Sequence, residues 1–278
     1  MIYNRTIFAD HDLEVPTTWS EFIEVCDTLQ DAGVTPPIYG TFADAWTVNQ
    51  GLFDYTVGGM IDVRSFYDTM NEIGGEDVGP DSEVSFRTTM LEPILRMLEL
   101  LPYHQDDASS RSYGDGNTAM ARGEAAMLFQ GPGRSRRSRR PARSRTCPPS
   151  RCPPPTTPDE RKIRVSVDLS LWIPEAADQK EGARELLSYF MTPPEVQNGY
   201  NEALLALGTT KDAPPATDER IAPMQEFYDA GMVTCGPSQF IPLTIPWENY
   251  LQSIIFGADP EQVLARLDSD WARLAFRS

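Results

Sequence analysis

Hydrophobic and polar positions alternate with two distinct periods along this chain, and the periods predict its elements. Phe22, Val25, Cys26 and Leu29 recur at helical spacing. They follow Thr18-Trp19-Ser20-Glu21, a capping box in which the threonine accepts from the N3 amide and the glutamate reaches back. Gly33 is the expected stop. An aromatic-rich stretch from Phe42 to Tyr55 predicts helix, as does Met90 to Leu101, entered at Pro93. The short apolar run Ala125 to Phe129 suits a buried strand ended by Gly131-Pro132. From Ile163 the period changes to two. Ile163, Val165, Val167, Leu169 and Leu171 alternate with Arg164, Ser166, Asp168, Ser170 and Trp172, the cleanest strand pattern in the chain.

Helical spacing returns with Ala183, Leu186, Leu187 and Phe190, broken by Pro193-Pro194, and a helix over Glu195 to Ala203 follows. Trp247 to Phe256 predicts a helix after Pro246. The last begins at Asp259-Pro260-Glu261, with Leu264, Leu267, Trp271 and Leu274 on its inner face. Strands isolated between more numerous helices predict an α/β chain rather than a barrel or sandwich.

The 278 residues, 40% of them hydrophobic, suffice for about two domains or lobes. No apolar run reaches the roughly 18 residues of a membrane helix. Net charge is −17, from 24 basic and 41 acidic residues, which argues against a nucleic-acid partner. One segment departs from this balance. Gly133 to Pro155 holds eight arginines and no acid; without them, 16 basic residues face 41 acidic ones, a net −25. Three readings fit the segment. It is a solvated linker, an arginine-rich arm for RNA, DNA or anionic lipid, or a stretch of GC-rich sequence read out of frame. The apolar flanks favour the last, and each predicts disorder.

Four cysteines at this length do not make a disulfide scaffold, and Cys26 reads as a small core residue. Two histidines leave little room for a histidine metal site or triad. No phosphate-binding glycine loop or zinc-protease motif occurs, so no cofactor, metal or catalytic residue is assigned. The N-terminus lacks the basic start and apolar core of a signal peptide.

With these pieces placed, the chain resembles the carbohydrate-binding members of bacterial extracellular solute-binding protein family 1, receptors of ABC sugar importers related to maltodextrin-binding protein. Ile2 to Phe8 and Val15 to Phe22 (IYNRTIF…VPTTWSEF) resemble the family's YNKDLF…PTTWDEF segment. Gly123 to Met127, with Gln130-Gly131-Pro132, resembles its GEAAM…GPW segment. Trp172-Ile173-Pro174 with the helix after it, and Ile245-Pro246 with the last two helices, follow in the family's order.

The resemblance implies an α/β, periplasmic-binding-protein-like type II two-lobe fold. It also implies a non-enzymatic, monomeric sugar or oligosaccharide receptor that delivers its ligand to ABC permease membrane subunits from the extracellular face or cell envelope. Two departures matter. Gly133 stands where the family's GPW tryptophan would be. The YNKDLF-like segment, well inside complete members, starts here at residue 2. The chain therefore resembles an incomplete, binding-impaired member, the second lobe plus part of the first. Residues 1–132 form a second-lobe segment, and 133–155 the arginine/proline tract. Residues 156–212 form the return strand and first-lobe remnant, and 213–278 the C-terminal second-lobe helices.

Sugar clefts stack aromatic faces on C–H surfaces and hydrogen-bond hydroxyls with carboxylates and amides. Asp44, Trp46 and Gln50 lie where the resemblance places a cleft-lining segment; a core tryptophan beside a helix-capping aspartate is the competing role. Asp168 and Trp172 lie on the polar face of the predicted strand, against a strand-end carboxylate, paired with Arg164, and a core tryptophan. Trp247 and Asn249 present an aromatic and an amide before a helix, against plain packing. Tyr113 to Asn117 reads as a turn more readily than as a cleft loop. The rivals are a glycoside hydrolase, which needs two carboxyl groups facing one pocket, and an RNA-binding protein using the arginine tract.

Overall fold

The computed structural model describes residues 1–75, 77–131, 161–165 and 171–275. β1 (Ile2–Tyr3) leads into α1 (Arg5–Asp10), whose first amides bond to the Asn4 side chain. α2 (Trp19–Asp31) starts at the expected capping box and buries Phe22, Val25, Cys26 and Leu29. A π-helical turn, Thr47–Phe53, runs directly into α3 (Asp54–Met60). α4 (Val63–Ile73) and α5 (Phe86–Leu98) follow, then α6 (Tyr113–Arg122) and β2 (Met127–Leu128). β3 (Ile163–Arg164) precedes α7 (Lys180–Met191) and α8 (Pro194–Leu204). The chain closes with α9 (Ala222–Asp229), β4 (Val233–Thr234), α10 (Trp247–Ile255) and α11 (Pro260–Leu274).

Two small sheets are described. β1 pairs antiparallel with β2, Ile2 opposite Leu128, and Ile38 adds a parallel bridge to Met127. β3 pairs parallel with β4, Ile163 opposite Val233. The main core lies among helices. Phe22, Phe53, Tyr67, Phe86, Met90 and Ile94 are nearly inaccessible, and Trp247, Leu251, Leu264 and Trp271 from the C-terminal helices join the same cluster. Residues near the end of the chain thus complete the core begun by residues 1–131. Burying these side chains contributes about 1.5–3 kcal/mol each and is the main source of stability.

One sequence expectation changes, and two others fall wholly or largely outside the described residues. α5 begins at Phe86, not Met90, because Ser85 and Thr88 exchange hydrogen bonds as a capping box; Pro93 lies inside the helix rather than at its entry. The predicted ten-residue strand from Ile163 is described as β3 over Ile163–Arg164, with 166–170, and so Asp168, outside the described residues. The arginine tract also lies outside them. Arg164 pairs with Asp54 at 2.7 Å.

That pair pins the β3–β4 sheet to the helical body. Asp54, fully buried at the start of α3, also accepts from the Ser238 amide at 3.0 Å and hydroxyl at 2.7 Å. Burial pushes its carboxyl above the ordinary range, and Arg164 and Ser238 pull it back. Gly236 makes room: a Cβ there would sit 2.1 Å from Asp54 Oδ2.

Candidate functional site

The turn Thr41 to Thr47 is folded by its own hydroxyl. Thr47 Oγ1 donates to the carbonyls of Thr41 at 2.5 Å and Asp44 at 2.8 Å, tightening the turn ahead of the π-helix. Its backbone is tied to the loop before α6: the Phe42 amide donates to Ala108 O and the Ala43 amide to Arg111 O. α6 in turn starts at a capping box, Ser112 with Asp115. The Ser112 amide and hydroxyl hold the Asp115 carboxyl below its usual range. Gly116 brings α6 close, since a Cβ there would lie 2.7 Å from Thr41 Cγ2.

These constraints bring two candidates together. Asp44 Oδ2 accepts from the Tyr113 amide at 2.7 Å, so the aspartate caps the first turn of α6. Trp46 and Tyr113 then meet edge to face, with ring centroids 4.6 Å apart. Both residues are half-buried. Tyr113 is in the segment read from sequence as a turn; it is instead the first residue of a helix, and the Ser112-x-x-Asp115 pattern is the signal that locates it. Asn117, one turn on, donates from Nδ2 to Tyr113 O at 2.9 Å, while its buried Oδ1 has no partner among the described residues.

The π-helical turn continues the site. Trp46 is its N-cap, and π-helical turns recur at functional positions. Gln50 is exposed on it; the neighbouring Asn49 is buried and donates to Glu248 at the start of α10, at 3.4 Å. Asn49 and Glu248 therefore bring side by side the two elements that carry Gln50 and the exposed Asn249. Gln252 of α10 donates to Phe42 O at 2.8 Å, a second tie. The local charge is acidic: Asp44, Asp115 and Glu248 surround the turn, and nearby Arg111 is ion-paired to Asp107.

Two candidates are not part of this arrangement. Trp247 is a correction: it is 2% exposed, packed edge-on against Phe53 at 5.2 Å and tilted against Phe86 at 6.4 Å. The core claims both sides of its ring, so it has no open face for stacking. Trp172 is 76% exposed and belongs to the stretch leading to α7. Among the described residues, no group of His, Cys, Asp and Glu side chains is placed to hold a metal ion. No described helix is long and apolar enough to cross a membrane. Burial lowers His104 to about 4, so its ring is neutral, 2.8 Å from the Leu100 carbonyl; burial raises Cys26 to about 12, which makes its thiol inert.

The half-buried Trp46–Tyr113 pair thus sits among carboxylates and amides. The chain belongs to the bacterial extracellular solute-binding proteins, whose family profile matches residues 1–197. Its fold is that of sugar-binding members with known structures. Apo RafE from Streptococcus pneumoniae superposes with a TM-score of 0.73 at 16% identity, over 98% of this chain and 68% of its own. A chitin oligosaccharide binding protein gives 0.70 at 19% identity, over 98% and 68%. A manno-oligosaccharide specific solute binding protein from Bifidobacterium animalis subsp. lactis, in complex with mannotriose, gives 0.65 at 16%, over 98% and 67%. The fold is therefore the periplasmic-binding-protein-like α/β fold expected from the sequence. Comparison with curated protein sequences finds no match.

Proposed function

We propose that the chain is the carbohydrate-binding component of an ABC-type importer, taking a neutral sugar or oligosaccharide and passing it to permease subunits. The observation that carries this reading is the Trp46–Tyr113 pair beside Asp44, in a family of solute receptors. The rings offer a stacking corner. Asp44 Oδ1, Gln50 and Asn249 supply hydrogen bonds to hydroxyls. The acidic surroundings disfavour an anionic ligand such as a uronate, because like charges repel in a partly desolvated site. Asp168 and Trp172 remain proposed contacts, as the sequence pattern suggested. Binding and release need no catalytic group, cofactor or metal, and a monomer at the cell envelope suits that role.

The chain's organisation fits one lobe plus a remnant. In this reading residues 1–132 and 213–278 belong to the second lobe and 156–212 to the return strand and first-lobe remnant. Two-lobed receptors grip their ligand by hinge closure. With one jaw present only in part, this chain binds sugar weakly. Saturation-transfer NMR with raffinose, mannotriose and chitotriose is expected to show contacts in the range of about 1 mM, roughly −4 kcal/mol, and their loss in Trp46→Ala. Absence of any sugar contact, or contacts indifferent to Trp46→Ala, sinks the site. Micromolar affinity by calorimetry sinks the idea of impairment. Turnover of a chromogenic glycoside would favour the hydrolase reading instead.

A further inference from the structure

The backbone that carries Asp44 is held unevenly. Phe42 is fixed through both of its peptide groups: its amide donates to Ala108 O at 2.9 Å, and its carbonyl accepts from Gln252 at 2.8 Å. The Ala43 amide donates to Arg111 O at 3.1 Å, and its carbonyl accepts from the same Gln252 side chain at 3.4 Å. These partners belong to α10 and to the loop before α6, so they anchor the start of the turn from outside. Among the described residues, the peptide groups of Asp44 have no such outside anchor. Its amide reaches Thr41 O at 3.4 Å, beyond the usual N–H···O range. Its carbonyl is held by Thr47, through the amide at 2.9 Å and the hydroxyl at 2.8 Å. The same hydroxyl lies 2.5 Å from Thr41 O. One hydroxyl proton is thus shared between two carbonyls, and it closes two successive turns, 41–44 and 44–47, that meet at Asp44.

Thr47 is 4% exposed, so its hydroxyl faces protein rather than a ligand. From Asp44 the constraint passes outward. Asp44 Oδ2 accepts from the Tyr113 amide at 2.7 Å, and the Tyr113 ring meets the Trp46 ring. We infer that Thr47 is a positioning residue of the binding site. Without touching the ligand, its hydroxyl fixes the Asp44 carboxylate and the Trp46 ring in the arrangement that receives a sugar. This rests on the receptor reading of the corner and adds the group that preorganises it. A site held ready spares the ligand the cost of ordering it, and that gain requires groups kept within about 0.5 Å of the productive geometry. Without the hydroxyl, Thr41 O keeps only the long Asp44 contact among the described residues. The first turn then loosens, and the Asp44 side chain samples several orientations.

Two variants of the full chain test this. Thr47→Val keeps the shape and removes the donor; Thr47→Ser keeps the donor. Each is compared with the wild type by hydrogen exchange and by saturation-transfer NMR with raffinose. Thr47→Val is expected to speed exchange of the Tyr113 amide at least about tenfold, although Thr47 does not bond to Tyr113. It should lower the raffinose signal about fivefold, while the amides of α2, α5 and α11 exchange as slowly as before. Thr47→Ser should restore both. If Thr47→Val loses the slow exchange of α5 and α11, Thr47→Ala takes its place under the same criteria. A hydroxyl that serves stability alone would shift the unfolding transition and leave the Tyr113 amide and the raffinose signal unchanged, which overturns the proposal. Losses that serine does not restore overturn it too. A wild-type chain without any sugar contact refutes the receptor reading and the role of Thr47 with it. Contacts that vanish in Trp46→Ala but survive Thr47→Val refute the role of Thr47 alone.

Discussion

Replacing Arg164 with methionine is expected to lower the unfolding free energy by about 3–5 kcal/mol, the usual cost of removing one partner of a buried ion pair. Among the described residues Asp54 would then keep only Ser238 as a hydrogen-bond partner, in a fully buried position. A second change, Asp54→Asn in the Arg164→Met background, removes the stranded charge and should recover part of the loss. A double-mutant cycle by urea titration reads this directly. If Arg164→Met costs less than 1 kcal/mol, Arg164 does not hold the sheet to the body. The effect should be global rather than local, because Asp54 joins three stretches distant in sequence: α3, β3, and the turn after β4.

The second large effect concerns the contact between α5 and α11. Asp268, fully buried on α11, accepts from the Phe86 amide at 2.7 Å and the Arg87 amide at 3.1 Å, the free donors at the start of α5. Asp268→Ala leaves these amides unpaired and should cost about 2–3 kcal/mol. The same residue predicts a pH dependence. Burial pushes its carboxyl up to about 6, against the lowering pull of the two amides.

Its folded-state value therefore lies above the unfolded one. As pH rises from about 4 to about 6, the unfolded chain releases the proton while the folded chain retains it, so stability falls through that window and levels off above it. The full span is on the order of 2–3 kcal/mol. Asp218 acts in the opposite sense: Arg220 holds it down to about 2, so its contribution is present above about 4 and is lost as pH falls toward 2. Chemical denaturation from pH 3 to 7 should show a maximum between the two windows. Asp268→Asn should flatten the upper limb, and an unchanged slope in that variant would place its origin elsewhere.

Much of the helical framework was legible because its determinants are local. The box of Thr18 and Glu21, and the cap at Asp259 with its proline and glutamate, act within one turn, and α2 and α11 start where these residues put them. α5 was misplaced for a local reason too: its box uses Thr88 where Glu or Gln is usual, and Pro93 mimicked a first-turn proline. The family was legible because several segments occur in order, though no one of them decides it. The site was harder, since its geometry depends on distant partners. Trp46 meets Tyr113, 67 positions away, and nothing in either segment announces it. Trp247 looks like a candidate in isolation; only Phe53 and Phe86, folded against it, make it a core residue. Arg164 read as one polar residue in an alternating strand, and its pairing with Asp54, 110 positions earlier, is not visible there.

The exposed apolar side chains of α7 and α8, among them Leu186, Tyr189 and Met191, bear on how the molecule behaves in a crowded solution. Sticky surfaces on neighbouring copies attract at short range, while a net charge of −17 keeps the copies apart at longer range. Ions shorten that repulsion, to about 8 Å at physiological strength, and leave the stickiness intact. Colloidal stability in this protein is thus a balance that added salt tips toward precipitation, opposite to the salting-in expected of a molecule whose oily groups are all inside.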